Sequence, residues 1–140
     1  MPGCIEVLKK WYDNGHEIYF VTATNTENMH KKAEWLQRTF PFMDVRKNLI
    51  CMQKKQMLSG NIDVLIDDCI DNLDNGKYHS IVFDYPWNQD EYRVPDSPFN
   101  YRFLSHRAYN WEDIDRQLQI TYDYMSNPTL QNKLPRFIHR

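Results

Sequence analysis

Short, continuously apolar runs alternate with amphipathic stretches along this chain. Residues 5–12 place Ile5, Leu8, Trp11 and Tyr12 on one helical stripe. Asn14-Gly15 then supplies a stop, because glycine accepts the left-handed backbone that ends a helix. Glu17-Ile18-Tyr19-Phe20-Val21-Thr22 is rich in β-branched and aromatic residues and reads as a buried strand. A polar cluster at 24–28 opens a second helix, with Met29, Ala33, Trp35, Leu36 and Phe40 as its inner face and Pro41 as its end. Residues 48–52 form a short strand, and 53–60 a polar connector or a single helical turn. Asp63-Val64-Leu65-Ile66-Asp67-Asp68 is an apolar strand closed by two carboxylates, followed by a brief helix at 70–73 and a last clear strand at 79–84. From 85 to 106 the chain is Pro-rich, aromatic and polar without a period, which predicts a long loop. Residues 111–125 form a closing amphipathic helix capped by Asn110, and 126–140 a loosely held tail.

Helices alternating with short apolar strands predict an α/β fold with a mostly parallel sheet, its core spanning residues 1–125. The length, 140 residues, fits one domain, and 41% apolar residues can fill an interior. With 17 basic against 19 acidic side chains, no global positive field exists to hold a nucleic-acid polymer or an anionic membrane. A single nucleotide is still admissible, since one site can be locally basic. No apolar run is long enough to span a bilayer, and the start has no signal-peptide pattern. Cys4, Cys51 and Cys69 are odd in number and widely spaced, so neither a disulfide framework nor a structural zinc site is expected, and a reducing cytoplasm is.

Three features carry candidate chemistry, each at a strand's C-terminal end or in the connector before a strand, the edge where open α/β sheets bind ligands. In Val21-Thr22-Ala23-Thr24, a hydroxyl and backbone N–H groups before a helix form a phosphate cradle; alternatively, Thr24 or Asn25 only caps the helix. In Asp67-Asp68, adjacent carboxylates repel and need compensation, which a hard cation such as Mg²⁺ provides; alternatively, Asp68 caps the next helix and Asp67 faces water. Lys54-Lys55 offers a compact charge for a phosphate oxygen, or is simply solvated. Other candidates yield to plainer roles. His16, His30, His79, His106 and His139 share no ligand spacing and read as surface or loop residues. Ser59, Ser80 and Ser97 lie in no nucleophile elbow, and Cys69 reads as a small packed residue. Trp87 either stacks on a base or closes the core edge, and no glycine-rich phosphate loop is present.

Together these pieces resemble the haloacid dehalogenase superfamily and, within it, the 5′(3′)-deoxyribonucleotidases. The matching segments are Met1-Pro2-Gly3-Cys4-Ile5-Glu6-Val7-Leu8, Glu17 through Ala23, Asp63 through Asp68 with Asn72-Leu73, Phe83-Asp84-Tyr85-Pro86-Trp87-Asn88, and Asn110-Trp111-Glu112-Asp113-Ile114. The resemblance implies a Rossmann-like three-layer α/β sandwich and a Mg²⁺-dependent phosphatase acting on (deoxy)nucleoside monophosphates. It further implies that Thr22, with the adjoining Ala23, binds phosphate, that Lys55 (rather than Lys54) is the motif lysine, and that Asp67 and Asp68 are the metal acids.

The family's Asp-x-Asp, whose first Asp is the nucleophile that forms an aspartyl-phosphate, has no counterpart after an apolar strand here. Asp113-Ile114-Asp115 has the letters but lies in a helical pattern. The resemblance therefore implies a sequence lacking the first, central strand and the cap that holds the base. Such a chain is expected to be inactive alone and of modest stability, its strands either closing up or leaving unpaired edges. The competing expectation is a non-catalytic nucleotide- or protein-binding module, or one half of a split enzyme completed by a strand from a partner or by a homo-oligomer. A phosphoacceptor receiver domain has its acid pair before the Thr and Lys, the reverse of the order here.

Overall fold

The computed structural model describes residues 2–89 and 107–127. The 95–106 insertion, Ser97, His106, His139 and the tail beyond 127 lie outside the described residues. The chain divides into two compact units, Met1–Lys54 and Lys55–Arg140.

The first unit opens with helix α1 (Cys4–Asp13), which buries Leu8 and Trp11 and ends where Gly15 adopts φ 91°. Ile5, expected on the inner stripe, is exposed in the first turn, ahead of the buried Leu8 and Trp11. Strand β1 (Phe20–Thr22) is shorter than the apolar run that forms it, since a ladder extends only as far as its partner. That partner is β2 (Leu49–Cys51), parallel, with Phe20 opposite Leu49 and Thr22 opposite Cys51.

Between them runs α2 (Thr26–Thr39), whose Leu36 is buried along with Phe40 just beyond it. Trp35 is 54% exposed, not buried as expected, because it sits a full 100° step off the Met29–Ala33–Leu36–Phe40 stripe. A short helix α3 (Val45–Asn48) was not legible as one, being a single turn anchored by the fully buried Val45. Phe40 packs between Phe20 and Phe42, and Tyr12 closes the cluster on Phe42.

The second unit is a parallel three-stranded sheet in the order β3 (Val64–Asp67), β4 (His79–Phe83), β5 (Arg107–Ala108). A 3₁₀ turn (Lys55–Leu58) precedes β3 in sequence, and the one-turn helix α4 (Ile70–Leu73) joins β3 to β4. Central β4 pairs on both sides and is buried from His79 to Val82. Strand β5 has two residues and follows an aperiodic stretch, so only its pairing with Val82 and Phe83 marks it as a strand.

Helix α5 (Trp111–Ser126) covers this sheet with Trp111 and Ile114, and Asn110 caps it as expected, its side chain accepting from the Asp113 N–H at 2.8 Å. Asp113 and Asp115 therefore lie in a helix, not at a strand end. All strand pairs are parallel, as the α/β pattern requires. Among the described residues, β1 pairs only with β2, and β3 only with β4. No described helix is long and apolar enough to cross a membrane.

Candidate functional site

Each unit ends a strand in polar side chains, and the two ends are chemically opposite. At the end of β1, Thr22 is buried, and its hydroxyl donates to Thr24 Oγ1 at 2.9 Å. The same Thr22 oxygen accepts from the Thr24 N–H at 3.1 Å and from Lys32 Nζ at 2.9 Å. Lys32 also reaches Thr24 Oγ1, at 3.4 Å. Neither threonine caps α2: that task falls to Asn25, whose Oδ1 accepts from the Asn28 N–H at 3.1 Å. Two hydroxyls and an ammonium thus gather at a helix N-terminus with no carboxylate bonded to them among the described residues, a setting that favours an anion. Ala23 is exposed beside them, and its carbonyl accepts from the Gln53 side chain at 2.9 Å.

Lys32 was missed in the sequence because Lys31-Lys32 looks like an ordinary solvated pair. One signal was available. Lys32 lies three residues after Met29 and four before Leu36, so it falls on the edge of the helix's inner stripe, where a lysine needs a reason.

At the end of β3, Asp67 is buried and fully engaged. Its Oδ2 accepts from Lys55 Nζ at 2.6 Å and from Asn72 Nδ2 at 3.2 Å, while Oδ1 accepts from the Cys69 N–H at 2.9 Å. The Lys55–Asp67 ion pair is nearly dry, with side chains 13% and 5% exposed. Burial by itself opposes ionisation of Asp67, but the hydrogen bonds from Lys55 and the Cys69 amide, with the lysine charge, outweigh it and hold its carboxyl below the ordinary value. Asp67 does not face water, and Asp68 does not cap α4, whose N-cap is Cys69 without a side-chain bond.

Half-buried Asp68 is held through one oxygen, Oδ2, which accepts from the Trp87 indole N–H at 2.8 Å; its Oδ1 accepts from no described donor. The repulsion between adjacent carboxylates is thus already relieved for Asp67 by Lys55, within the second unit. Lys55 is the acid's partner. Lys54 is exposed.

His16 packs on Trp11, His30 pairs with Glu34, and His79, expected at the surface, is buried against Tyr124 because it lies on the doubly paired strand β4. Cys69, expected to be packed, is exposed, since it forms the turn between β3 and α4; all three cysteines are free thiols. Ser59 accepts from the Lys77 N–H, and Ser80 is buried on β4. Trp87 is no core-edge residue: it is 65% exposed, stacked on Tyr85 at 4.4 Å. Among the described residues, no three His, Cys, Asp or Glu side chains are grouped to hold a metal.

The chain is matched over residues 1–124 by the model of the family described as 5′ nucleotidase, deoxy (Pyrimidine), cytosolic type C protein. It is 36% identical over 115 residues to a 5′(3′)-deoxyribonucleotidase of Bacillus subtilis (strain 168), covering 81% of this chain and 56% of that protein. The same figures hold for a 5′(3′)-deoxyribonucleotidase of Bacillus phage SPbeta. A third relative of that name, from Clostridium acetobutylicum, is 36% identical over 76 residues, covering 54% of this chain and 41% of its own length. The chain thus spans about half the length of the curated relatives it matches.

Proposed function

This chain belongs to the cytosolic type C 5′-deoxynucleotidase family, and on that premise we propose that it carries the phosphate-binding and metal-binding parts of a phosphatase acting on (deoxy)nucleoside monophosphates. The observation that carries the reading is the pair of opposite strand ends: hydroxyls with Lys32 after β1, carboxylates after β3. Thr22, the Ala23 segment and Lys32 would receive the phosphate dianion through hydroxyl, backbone and ammonium donors. Lys55 fixes Asp67 in its ionised, oriented form, and the remaining N–H donors of its ammonium would serve the phosphate contact expected of it from the sequence. Asp68, with Asp67 behind it, presents an oxygen suited to Mg²⁺, an ion that commonly takes only one or two protein carboxylates and fills its shell with water and substrate oxygens. When bound, Mg²⁺ would neutralise charge on the phosphoryl group. The only Asp-x-Asp in these residues lies on α5, so this chain by itself is expected to bind without turnover. Three free thiols fit a reducing, cytoplasmic setting.

The experiment is phosphate release from deoxynucleoside monophosphates by the native polypeptide purified from its source, whose intact mass is measured alongside. Mg²⁺-dependent release that falls by about a hundredfold or more in Thr22→Val and Asp68→Asn upholds the proposal. Release indifferent to both substitutions, or none from a polypeptide heavier than 17.0 kDa, refutes it.

A second reading is favoured by one observation, the single-sided pairing of β1 and β3 among the described residues. A strand from another chain could add to such an edge, making this one part of a split enzyme or a non-catalytic module. A native mass of 17.0 kDa, with activity appearing only alongside a co-purifying partner, would select the split enzyme.

A further inference from the structure

Beyond β4 the chain turns through Asp84-Tyr85-Pro86-Trp87-Asn88 and comes back against Asp68. Asn88 is 3% exposed, and all its amide capacity is used. Its Nδ2 donates to the Asp68 carbonyl at 2.7 Å and to the Phe83 carbonyl at 2.8 Å. Its Oδ1 accepts from the Tyr85 N–H at 3.1 Å and from Arg107 Nη1 at 2.8 Å. Arg107 on β5 is itself fixed by an ion pair with Asp84 at 2.7 Å and a bond to the Asn88 carbonyl at 3.2 Å. One buried amide therefore ties the Asp68 peptide to the ends of β4 and β5.

Trp87 treats the side chain as Asn88 treats the backbone. Its indole N–H holds Asp68 Oδ2, and its ring is locked by a near-parallel stack on Tyr85, 7° between planes. An exposed tryptophan adds little burial to the fold, so a locked rotamer there calls for another cause.

We propose that Trp87 and Asn88 are positioning residues for Asp68, the indole pinning one carboxylate oxygen and the amide pinning the peptide so that Oδ1 is presented to a divalent cation. This rests on the reading of Asp68 as a metal ligand given above. A carboxylate free to rotate must be ordered when the ion arrives, whereas a pinned one is ordered in advance; partners behind a ligand commonly change metal affinity by about 10- to 100-fold.

The test is titration of the 140-residue chain with Mn²⁺ alone, by calorimetry and by tryptophan fluorescence, alongside metal-free thermal melting. Trp87→Phe keeps the stack and removes only the donor. The expected result is Mn²⁺ affinity about tenfold weaker than the parent's at an unchanged metal-free melting temperature. Trp35→Phe, at an exposed tryptophan of the first unit, is expected to bind as the parent does. Because Asn88→Ala removes a saturated buried amide and could fail to fold, the decision rests on Trp87→Phe. Equal or tighter binding by Trp87→Phe overturns the positioning role and leaves the metal reading standing. A parent chain that binds no Mn²⁺ overturns both.

Discussion

The ends of β1 and β3 are the same piece of geometry, the last residue of a short parallel strand turning toward a helix, yet they are opposite in charge and in rigidity. After β1, the polar groups are hydroxyls and one half-buried ammonium, with Lys32 bonded, among the described residues, to neutral oxygens that water or an anion can replace. After β3, a buried carboxylate is saturated by a lysine, an amide side chain and a backbone N–H. The first end is left open to a negatively charged ligand. The second spends most of its bonding on its own carboxylate and offers outward only the neighbouring one. The same strand-to-helix turn can thus serve as a receptor or as a mount, and the partner already in place decides which.

The strongest test of this contrast is Lys55→Met. Asp67 would be left buried without its counter-charge, costing about 3 kcal/mol of stability by denaturant titration. Lys55→Met with Asp67→Asn should recover most of that loss, since an uncharged side chain needs no ammonium. No recovery would mean that the lysine matters for packing and not for charge.

A smaller effect follows from the lowered Asp67 carboxyl. Its contribution is fully present above the ordinary aspartate value near 3.8 and is lost as pH falls through the depressed folded-state value. The stability gap between parent and double variant should therefore hold near neutrality and shrink in acid; a gap independent of pH would contradict the charge assignment.

Least costly to the fold is Lys32→Met. It removes hydrogen bonds to hydroxyls at a half-exposed site, worth about 1 kcal/mol or less. Millimolar inorganic phosphate should raise the melting temperature of the parent and not of this variant. An equal rise in both would remove Lys32 from the anion site.

Much of this was legible in the residues. Apolar runs flagged β1 to β4 because parallel strands read as continuous apolar runs, although only β4 is buried over most of its length. The cap Asn110 and the stop at Gly15 were readable because their chemistry is local, and the cap of α2 was narrowed to Thr24 or Asn25. Thr22 and Asp67-Asp68 stood out by their place after a strand. What escaped depends on partners distant in sequence: β5 exists by pairing with β4, Lys32 matters through Thr22, ten positions earlier, and Lys55 serves the acid twelve positions later. Asn88 carries no signal of its own, since an asparagine after Pro-Trp reads as a turn until its four bonds are seen.

The ladders join strands close together along the chain: Phe20 meets Leu49, and only after that unit ends does Val64 meet His79. Loop-closure cost grows slowly with length, so each pairing closes a modest loop of its own. During synthesis, the first ladder has both of its strands once residue 51 has emerged from the ribosome, while residues 67 and 68 are still inside the exit tunnel. A nascent chain thus has every residue of its hydroxyl cluster outside the ribosome before the carboxylates emerge, and each cluster draws its lysine from its own side of the boundary at residue 54.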